Sequence, residues 1–190
     1  MYVTHAYICP LFETANVKTS RRARQANLLG ALAVAVIDRM HDELTGADER
    51  GLSGTAALIH LRLRPGENID FLARLLDISH PATVRIVDRL EAEGLLERRS
   101  GRDARARLLV LTPAGRRAAL AALRMRLELL EEVLAPLTAG ERRRLEQILE
   151  KLLGGLVEDR WDARHMCRLC DFITCDDPEC PVDRALAAPV

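Results

Sequence analysis

The stretch from Ile69 to Arg117 decides the fold, and it reads IDFLARLLDISHPATVRIVDRLEAEGLLERRSGRDARARLLVLTPAGRR. A short amphipathic helix pattern is followed by a turn at Asp77–Ser79, a second helix pattern, a glycine and a basic hairpin. This order is what a winged helix-turn-helix needs to place one helix in a DNA groove and a hairpin on the phosphates. The sequence therefore predicts that fold, mainly α with a small β-wing, for this part of the chain.

The second helix pattern, residues 80–93, has the features of a recognition helix. Pro81 suits a first turn, with Ser79 or His80 as the cap, and Gly94 suits the position after the end. We expect Val84, Val87 and Leu90 to face inward, with Ile86 beside them. The residues expected to face DNA are Ser79, His80, Thr83, Arg85 and Arg89, with Arg85 on a guanine or a phosphate.

The hairpin is predicted as two strands, Leu95–Arg99 and Arg105–Leu111, joined through Ser100–Asp103. Residues 97–107 carry five arginines against two acids, a net charge of +3 in a chain whose formal net charge is zero. A solvated charge run is the alternative to a phosphate-binding wing. Asp103 would hold a neighbouring guanidinium in place. The wing residues expected to serve DNA binding are Arg98, Arg99, Arg102, Asp103 and Arg105.

Helix patterns flank this unit on both sides. One begins near Ser20, and another is expected to be capped by Ser53 and to end before Pro65. Thr112-Pro113 should start a long helix whose leucines are spaced 3-4-3-4-3, and Pro136 should kink or end it. Thr138 and Glu141 form a capping box for the last long helix. These leucine seams are either intramolecular core or, as we expect for part of them, a dimer interface.

Composition limits the class of protein. Apolar residues make up 48% of the 190 residues and aromatic residues only 3%, so the core must be aliphatic. The longest uncharged apolar run, Leu28–Ile37, is ten residues, too short to span a bilayer. The first residues do not resemble a signal peptide. We therefore expect a cytoplasmic protein whose cysteines are reduced and which does not act at a membrane.

Four of the five cysteines lie within fourteen residues near the C-terminus: Cys167, Cys170, Cys175 and Cys180. The spacing C-x2-C-x4-C-x4-C allows four thiolates to surround one metal centre. Zinc is the first expectation and an iron–sulfur cluster the alternative, since Cys180 is followed by proline. Metal-free redox thiols remain a third possibility. Residues 158–184 carry a net charge of −4, so we expect this tail to avoid DNA and to pack near the dimer helices.

Residues 52–116 resemble the MarR (multiple antibiotic resistance regulator) family of bacterial transcription regulators. The motifs that carry the resemblance are LARLL (72–76), RIVDRLE (85–91), GLLER (94–98), DAR (103–105) and LTPAGR (111–116). The resemblance implies a homodimer that binds a pseudo-palindromic double-stranded operator, usually as a repressor. It makes Arg85 a DNA contact and Asp103 with Arg105 the wing anchor. It also implies a small-molecule ligand that releases DNA. The cysteine tail departs from the family pattern.

The expected organisation has three parts. Residues 1–19 form a flexible N-terminus, residues 20–158 the MarR-like domain, and residues 159–190 the cysteine-rich tail. Within the domain we place the winged helix-turn-helix at 52–111 and the dimerisation helices at 20–44 and 112–158. Two other classes of protein are alternatives to a DNA-binding regulator. One is a thiol redox enzyme built on Cys167-x-x-Cys170, and the other is a metal-dependent protein-interaction adaptor. The chain has no P-loop, GxSxG, HExxH or GxGxxG motif, so we do not expect an enzyme.

Overall fold

The computed structural model describes residues 20–45, 51–100, 107–171, 175 and 180–187. The predicted flexible segment 1–19 lies outside these residues. The described part is mainly helical with one two-stranded antiparallel sheet, which confirms the predicted fold class. Its elements are α1 (Arg21–Thr45), α2 (Gly51–Leu63), α3 (Ile69–Leu76), α4 (His80–Ala92), β1 (Leu96–Ser100), β2 (Arg107–Leu111), α5 (Pro113–Leu134), α6 (Ala139–Gly154), α7 (Arg160–Met166) and α8 (Pro181–Ala187).

None of the described helices combines the length and the apolar character that crossing a membrane would require.

Contacts divide the chain into residues 1–35 and residues 36–190, and the second unit holds the winged helix. Its core is centred on α2, where Ala56, Ala57, Leu58 and Ile59 are at most 2% exposed. This helix packs against α5 and also contacts α3, α4 and β2. The helix begins at Gly51, so the prediction that Ser53 caps it was wrong. Ser53 lies inside the first turn instead.

The helix-turn-helix is fixed by local hydrogen bonds at each end. The side chain of Asn68 caps α3 by accepting from Phe71 N at 2.8 Å. Asp77 then takes a left-handed backbone conformation, φ 53°, which ends α3 and turns the chain. Ser79 caps α4, and its Oγ accepts from Ala82 N at 3.4 Å. After α4, Gly94 has φ 69°, the left-handed conformation that glycine adopts without strain.

The wing follows α4 directly. Its strands pair from Leu96 opposite Leu111 to Ser100 opposite Arg107, so each begins one or two residues later than predicted. Glu67 adds an isolated bridge to Leu109 of β2. Leu96, Leu109 and Leu111 are buried and anchor the sheet on the core, while Arg99 of β1 is exposed and Arg98 is partly buried. These leucines thus pack the root of the wing into the hydrophobic core.

The two long helices α5 and α6 begin at the positions that their predicted N-caps indicated. Thr112 caps α5 with Pro113 as its first residue, and the helix ends at Leu134, just before Pro136. Thr138 and Glu141 form a complete capping box at the start of α6. No residue of α6 is buried, and three large apolar side chains on it are between 43% and 55% exposed: Ile148, Leu149 and Leu152. Part of the leucine seam is therefore not core in the single chain.

Candidate nucleic-acid interface

The outer face of α4 presents polar side chains to solvent. Arg85 and Arg89 are exposed, and no ion pair holds Arg85 within the described part of the chain. His80 is exposed at the first turn, with Nε2 3.3 Å from Asp70 Oδ1. These three side chains lie where the sequence placed them. An exposed arginine on a docked helix can reach a base edge or a phosphate.

The buried face of α4 differs from the prediction. Thr83, not Val84, lies in the core: it is 0% exposed, and its Oγ1 donates to the Ser79 carbonyl oxygen at 3.1 Å. Thr83, Val87 and Leu90 follow the i, i+4, i+7 spacing of one helix face, and the hydroxyl is satisfied by a backbone acceptor four residues earlier. The expectation that Thr83 faces outward was wrong. Burial removes it from the surface available to DNA.

Arg98 is occupied by an intramolecular ion-pair network. Its guanidinium pairs with Asp88 Oδ1 at 2.5 Å and also with Glu91, and its side chain is only 22% exposed. Burial opposes the charged guanidinium, but the hydrogen bonds and charges of Asp88 and Glu91 outweigh it and raise the pKa of Arg98. The sequence pattern predicted Arg98 as a DNA contact and gave no sign of these two ion pairs. In the structure the residue clamps β1 to α4.

The remaining predicted wing residues divide into two groups. Arg99 is exposed, and its Nε donates to Glu97 Oε1 at 2.8 Å along the same strand. Arg102, Asp103 and Arg105 fall outside the described residues. Ser79 is in the described part, and its hydroxyl oxygen is used by the helix cap.

The tail was expected to pack near the helices predicted to form the dimer. In the structure it packs on α6, one of those helices, and also on the helix-turn-helix. α7 packs against α3, and α8 packs against α6. The α3–α7 contact contains an aromatic and cationic stack in which Trp161 lies 5.3 Å from Phe71 and Arg74 lies 3.9 Å above the Trp161 ring. Arg164 approaches the same two aromatic rings, at 5.2 and 4.9 Å. Such cation–π contacts add stability to an apolar interface.

Two further contacts tie the tail to the end of α3. His165 Nδ1 lies 3.0 Å from the carbonyl oxygen of Leu75, so this nitrogen carries the proton and donates. Arg168 donates from Nη1 to the His165 carbonyl oxygen at 2.6 Å. Burial lowers the pKa of Arg168, against the opposing charge of Asp77 at the helix-turn-helix turn. The tail therefore contacts the helix that supports α4.

The four tail cysteines are free thiols that influence each other. A hydrogen bond to Cys170, burial, and the neighbouring thiols raise the pKa of Cys167. The hydrogen bond from Cys167 lowers the pKa of Cys170 to about 6, and Arg126 and Cys175 contribute against the effect of burial. Burial and the nearby thiols raise the pKa of Cys175. Among the described residues, no three Cys, His, Asp or Glu side chains are arranged as a finished metal-ligand set.

The sequence and the fold are similar to those of known MarR family proteins, in agreement with the helix-turn-helix and wing described above. Residues 55–106 match a family model described as "MarR family". No curated protein matches the chain. A MarR family protein from Mycobacterium tuberculosis is 26% identical, with a TM-score of 0.57 over 70% of this chain and 96% of that one. A mutant MarR from E. coli is 25% identical, with a TM-score of 0.60 over 67% of this chain and 95% of that one.

The fold is also similar to that of FabT from Streptococcus pneumoniae, a structure solved in complex with DNA. This protein is 18% identical, with a TM-score of 0.60 over 69% of this chain and 94% of that one. The agreement extends from the matched sequence of residues 55–106 to the fold of about two thirds of the chain. The winged helix-turn-helix of this chain is therefore similar in sequence over residues 55–106, and in fold over about two thirds of the chain, to MarR family proteins.

Proposed function

We propose that this protein is a sequence-specific DNA-binding transcription regulator that acts as a homodimeric repressor. The observation that carries the proposal is the outer face of α4, where Arg85 is exposed on a helix held by its Ser79 cap and its buried Thr83, Val87 and Leu90. A helix held in this way can enter the major groove without distortion. Such a regulator works at the chromosome, which places it in the cytoplasm.

The dimer is part of the proposal. The exposed apolar side chains of α6 and those on α5, Leu120, Met125 and Leu127, form surfaces that a monomer would leave in water. A twofold dimer would present two α4 helices to one face of DNA about 34 Å apart, one helical turn. An operator would then be an inverted repeat. The release of DNA by a small molecule, which the family resemblance implies, remains a prediction.

The thiol redox enzyme is the less favoured alternative. Cys167 is the C-cap of α7, so it lies at the negative end of a helix dipole. A reactive thiol of the Cys-x-x-Cys class instead lies at a helix N-terminus, where the dipole stabilises the thiolate. This placement argues against Cys167 as the attacking thiol of a disulfide exchange.

Selection of bound duplexes from a random-sequence DNA pool tests the proposed function. We expect enrichment of one inverted repeat whose half-sites are about 10 base pairs apart, centre to centre. The logarithm of the affinity should fall linearly with the logarithm of salt concentration, because phosphate contacts release counterions. A pool that stays unenriched at low and at moderate salt would contradict sequence-specific binding. Enrichment of a single unrepeated half-site would contradict the dimer.

A further inference from the structure

We propose that Cys167, Cys170, Cys175 and Cys180 form a four-thiolate site for Zn²⁺, and that zinc binding fixes α7 against the helix-turn-helix. The proposal that zinc binds is argued from the residues of the tail and does not depend on the proposed function. Its effect on DNA affinity rests on the proposed function.

The four thiols act on one another before any metal binds, although among the described residues they do not form a finished metal-ligand set. The thiol of Cys170 is hydrogen-bonded to those of Cys167 and Cys175. The charge of Cys180 also acts on the thiol of Cys167. A tetrahedral zinc site with Zn–S bonds of about 2.3 Å separates its sulfurs by about 3.8 Å. Zinc would replace the thiol hydrogen bonds with metal–sulfur bonds and release the thiol protons. Bringing the thiolates of Cys175 and Cys180 onto the ion held by Cys167 and Cys170 would complete the ligand set.

The chain on either side of the cysteines is anchored. Leu169, between the first two cysteines, is 7% exposed and belongs to the hydrophobic core. Val182, two residues after the last cysteine, is 4% exposed in α8. A backbone hydrogen bond of 2.9 Å from Cys170 N to the Cys167 carbonyl oxygen closes the turn between the first pair. This arrangement holds the first pair of ligands and the end of the segment near one place.

The surroundings suit an anionic centre. Four thiolates and one Zn²⁺ carry a net charge of −2. Arg126 of α5 lies near enough for its charge to act on both Cys170 and Cys175. Its Nε is buried and has no hydrogen-bond partner in the described part of the chain. A buried guanidinium nitrogen without a partner is costly, and a sulfur of the proposed centre would supply an acceptor.

The proposed zinc site lies next to Arg168, which links the tail to the helix-turn-helix. Arg168 lies between the first two cysteines and is close to Asp77 at the turn between α3 and α4. It also holds the carbonyl of His165, whose ring donates to Leu75 at the end of α3. Ligation of Cys167 and Cys170 restrains all three contacts together. Zinc would therefore bias the position of α3 and, through the turn, of α4.

Metal titration of the full-length protein tests the site. Protein stripped with a chelator is titrated with Zn²⁺, and separately with Co²⁺, whose thiolate complexes are coloured. We expect one metal per chain, protection of four thiols from alkylation and a higher midpoint of thermal unfolding. Cys170→Ser should abolish these effects, whereas Cys9→Ser, the matched control at the fifth cysteine, should preserve them. Circular dichroism verifies that both variants are folded.

Three results would overturn parts of the proposal. Wild-type protein that binds no stoichiometric zinc, or that carries iron and sulfide when purified without oxygen, overturns the zinc site. If zinc binds but operator affinity is the same with and without it, the coupling to the helix-turn-helix is wrong. We expect a change of about 5- to 150-fold in affinity, the usual range for coupled sites. Zinc binding by a protein that binds no DNA in either state would overturn the proposed function and leave the site standing.

Discussion

Among the glycines that the structure describes, Gly115 leaves the least room for a side chain. It lies in the first turn of α5, and a Cβ there would be 1.9 Å from the carbonyl oxygen of Leu95, a backbone atom that cannot move aside cheaply. Gly115→Ala should therefore destabilise the protein by at least about 2 kcal/mol, in the range of overpacked cores. Gly140→Ala is the control, because it is also in the first turn of a helix and has open space around it. Urea unfolding compares the two, and equal stability of both variants would refute the close packing.

His60 makes the stability of the fold depend on acid pH. It stacks on Phe71 with ring centroids 5.1 Å apart, and neither of its ring nitrogens has a partner among the described residues. Burial, with the charges of Arg64 and Arg164, lowers its pKa from 6.5 to about 4. The unfolded chain then binds a proton that the folded chain excludes, so stability falls as the pH drops from about 6.5 towards 4.

His60→Leu removes this titration and keeps an apolar side chain in the core. Between pH 7.5 and pH 5 the free energy of unfolding of the wild type should decrease more than that of His60→Leu. Any proton uptake by the tail cysteines is common to both proteins and cancels in the comparison. Urea unfolding at the two pH values provides the measurement. Parallel losses in both proteins would show that His60 is not excluded from protonation.

Single residues also show where sequence reasoning reaches its limit. The caps Thr112 and Thr138 were predicted because a cap is a local hydrogen bond that a few neighbouring residues define. Thr83 was misplaced because hydropathy ranks Val84 above it. The adjacent carbonyl of Ser79 satisfies the hydroxyl and makes its burial possible, and this is seen only in three dimensions.

Between elements, the clamp from Arg98 to Asp88 and Glu91 joins the wing to α4. Arg98→Ala should lower stability by about 1 kcal/mol, because the pairs are charge-assisted but both acids are partly exposed. A double-mutant cycle with Asp88→Asn measures the coupling between the two side chains. Additive effects in the cycle would mean that the pair does not hold the wing. Arg99→Ala on the same strand is the control, since Arg99 pairs only within β1 in the described structure.

The elements were predicted unequally well. The two helices of the helix-turn-helix and the strands of the wing follow from hydrophobic period and turn residues, with errors of one or two residues at the ends. The tail helices α7 and α8 were not predicted. Each is only seven residues long, which is too short for a helical period to show in the sequence. Their stability comes from packing against α3 and α6, which local sequence does not encode.

At the scale of the whole molecule, the exposed apolar face of α6 predicts association. Ile148→Glu with Leu152→Glu should convert the dimer to a monomer, because each buried carboxylate would lack a partner at the interface. Gln147→Glu adds the same kind of charge at an exposed neighbouring position and should leave the dimer intact. Sedimentation velocity measures the state of each. A wild-type protein that sediments as a monomer at micromolar concentration would refute the dimer.

The candidate site as a whole was only partly predictable. The exposed Arg85, Arg89 and His80 follow from helix period, because the apolar stripe fixes the opposite face. The clamp role of Arg98 depends on side chains seven and ten residues earlier, and sequence alone gives no register for that approach. The docking of the tail on α3 joins residues about 90 positions apart, such as His165 and Leu75. Local patterns carry no information about such contacts.

The affinity of the Arg85→Ala variant for the selected operator tests whether α4 is the helix that reads DNA. Arg143→Ala, which removes the same charge from an exposed position on α6, is the control. If α4 reads the major groove, Arg85→Ala should weaken operator binding by about 5- to 150-fold, the value of one base or phosphate contact of about 1–3 kcal/mol, and Arg143→Ala should not. Equal affinities of Arg85→Ala and the wild type, with both variants folded, would contradict the assignment of α4 as the DNA-reading helix.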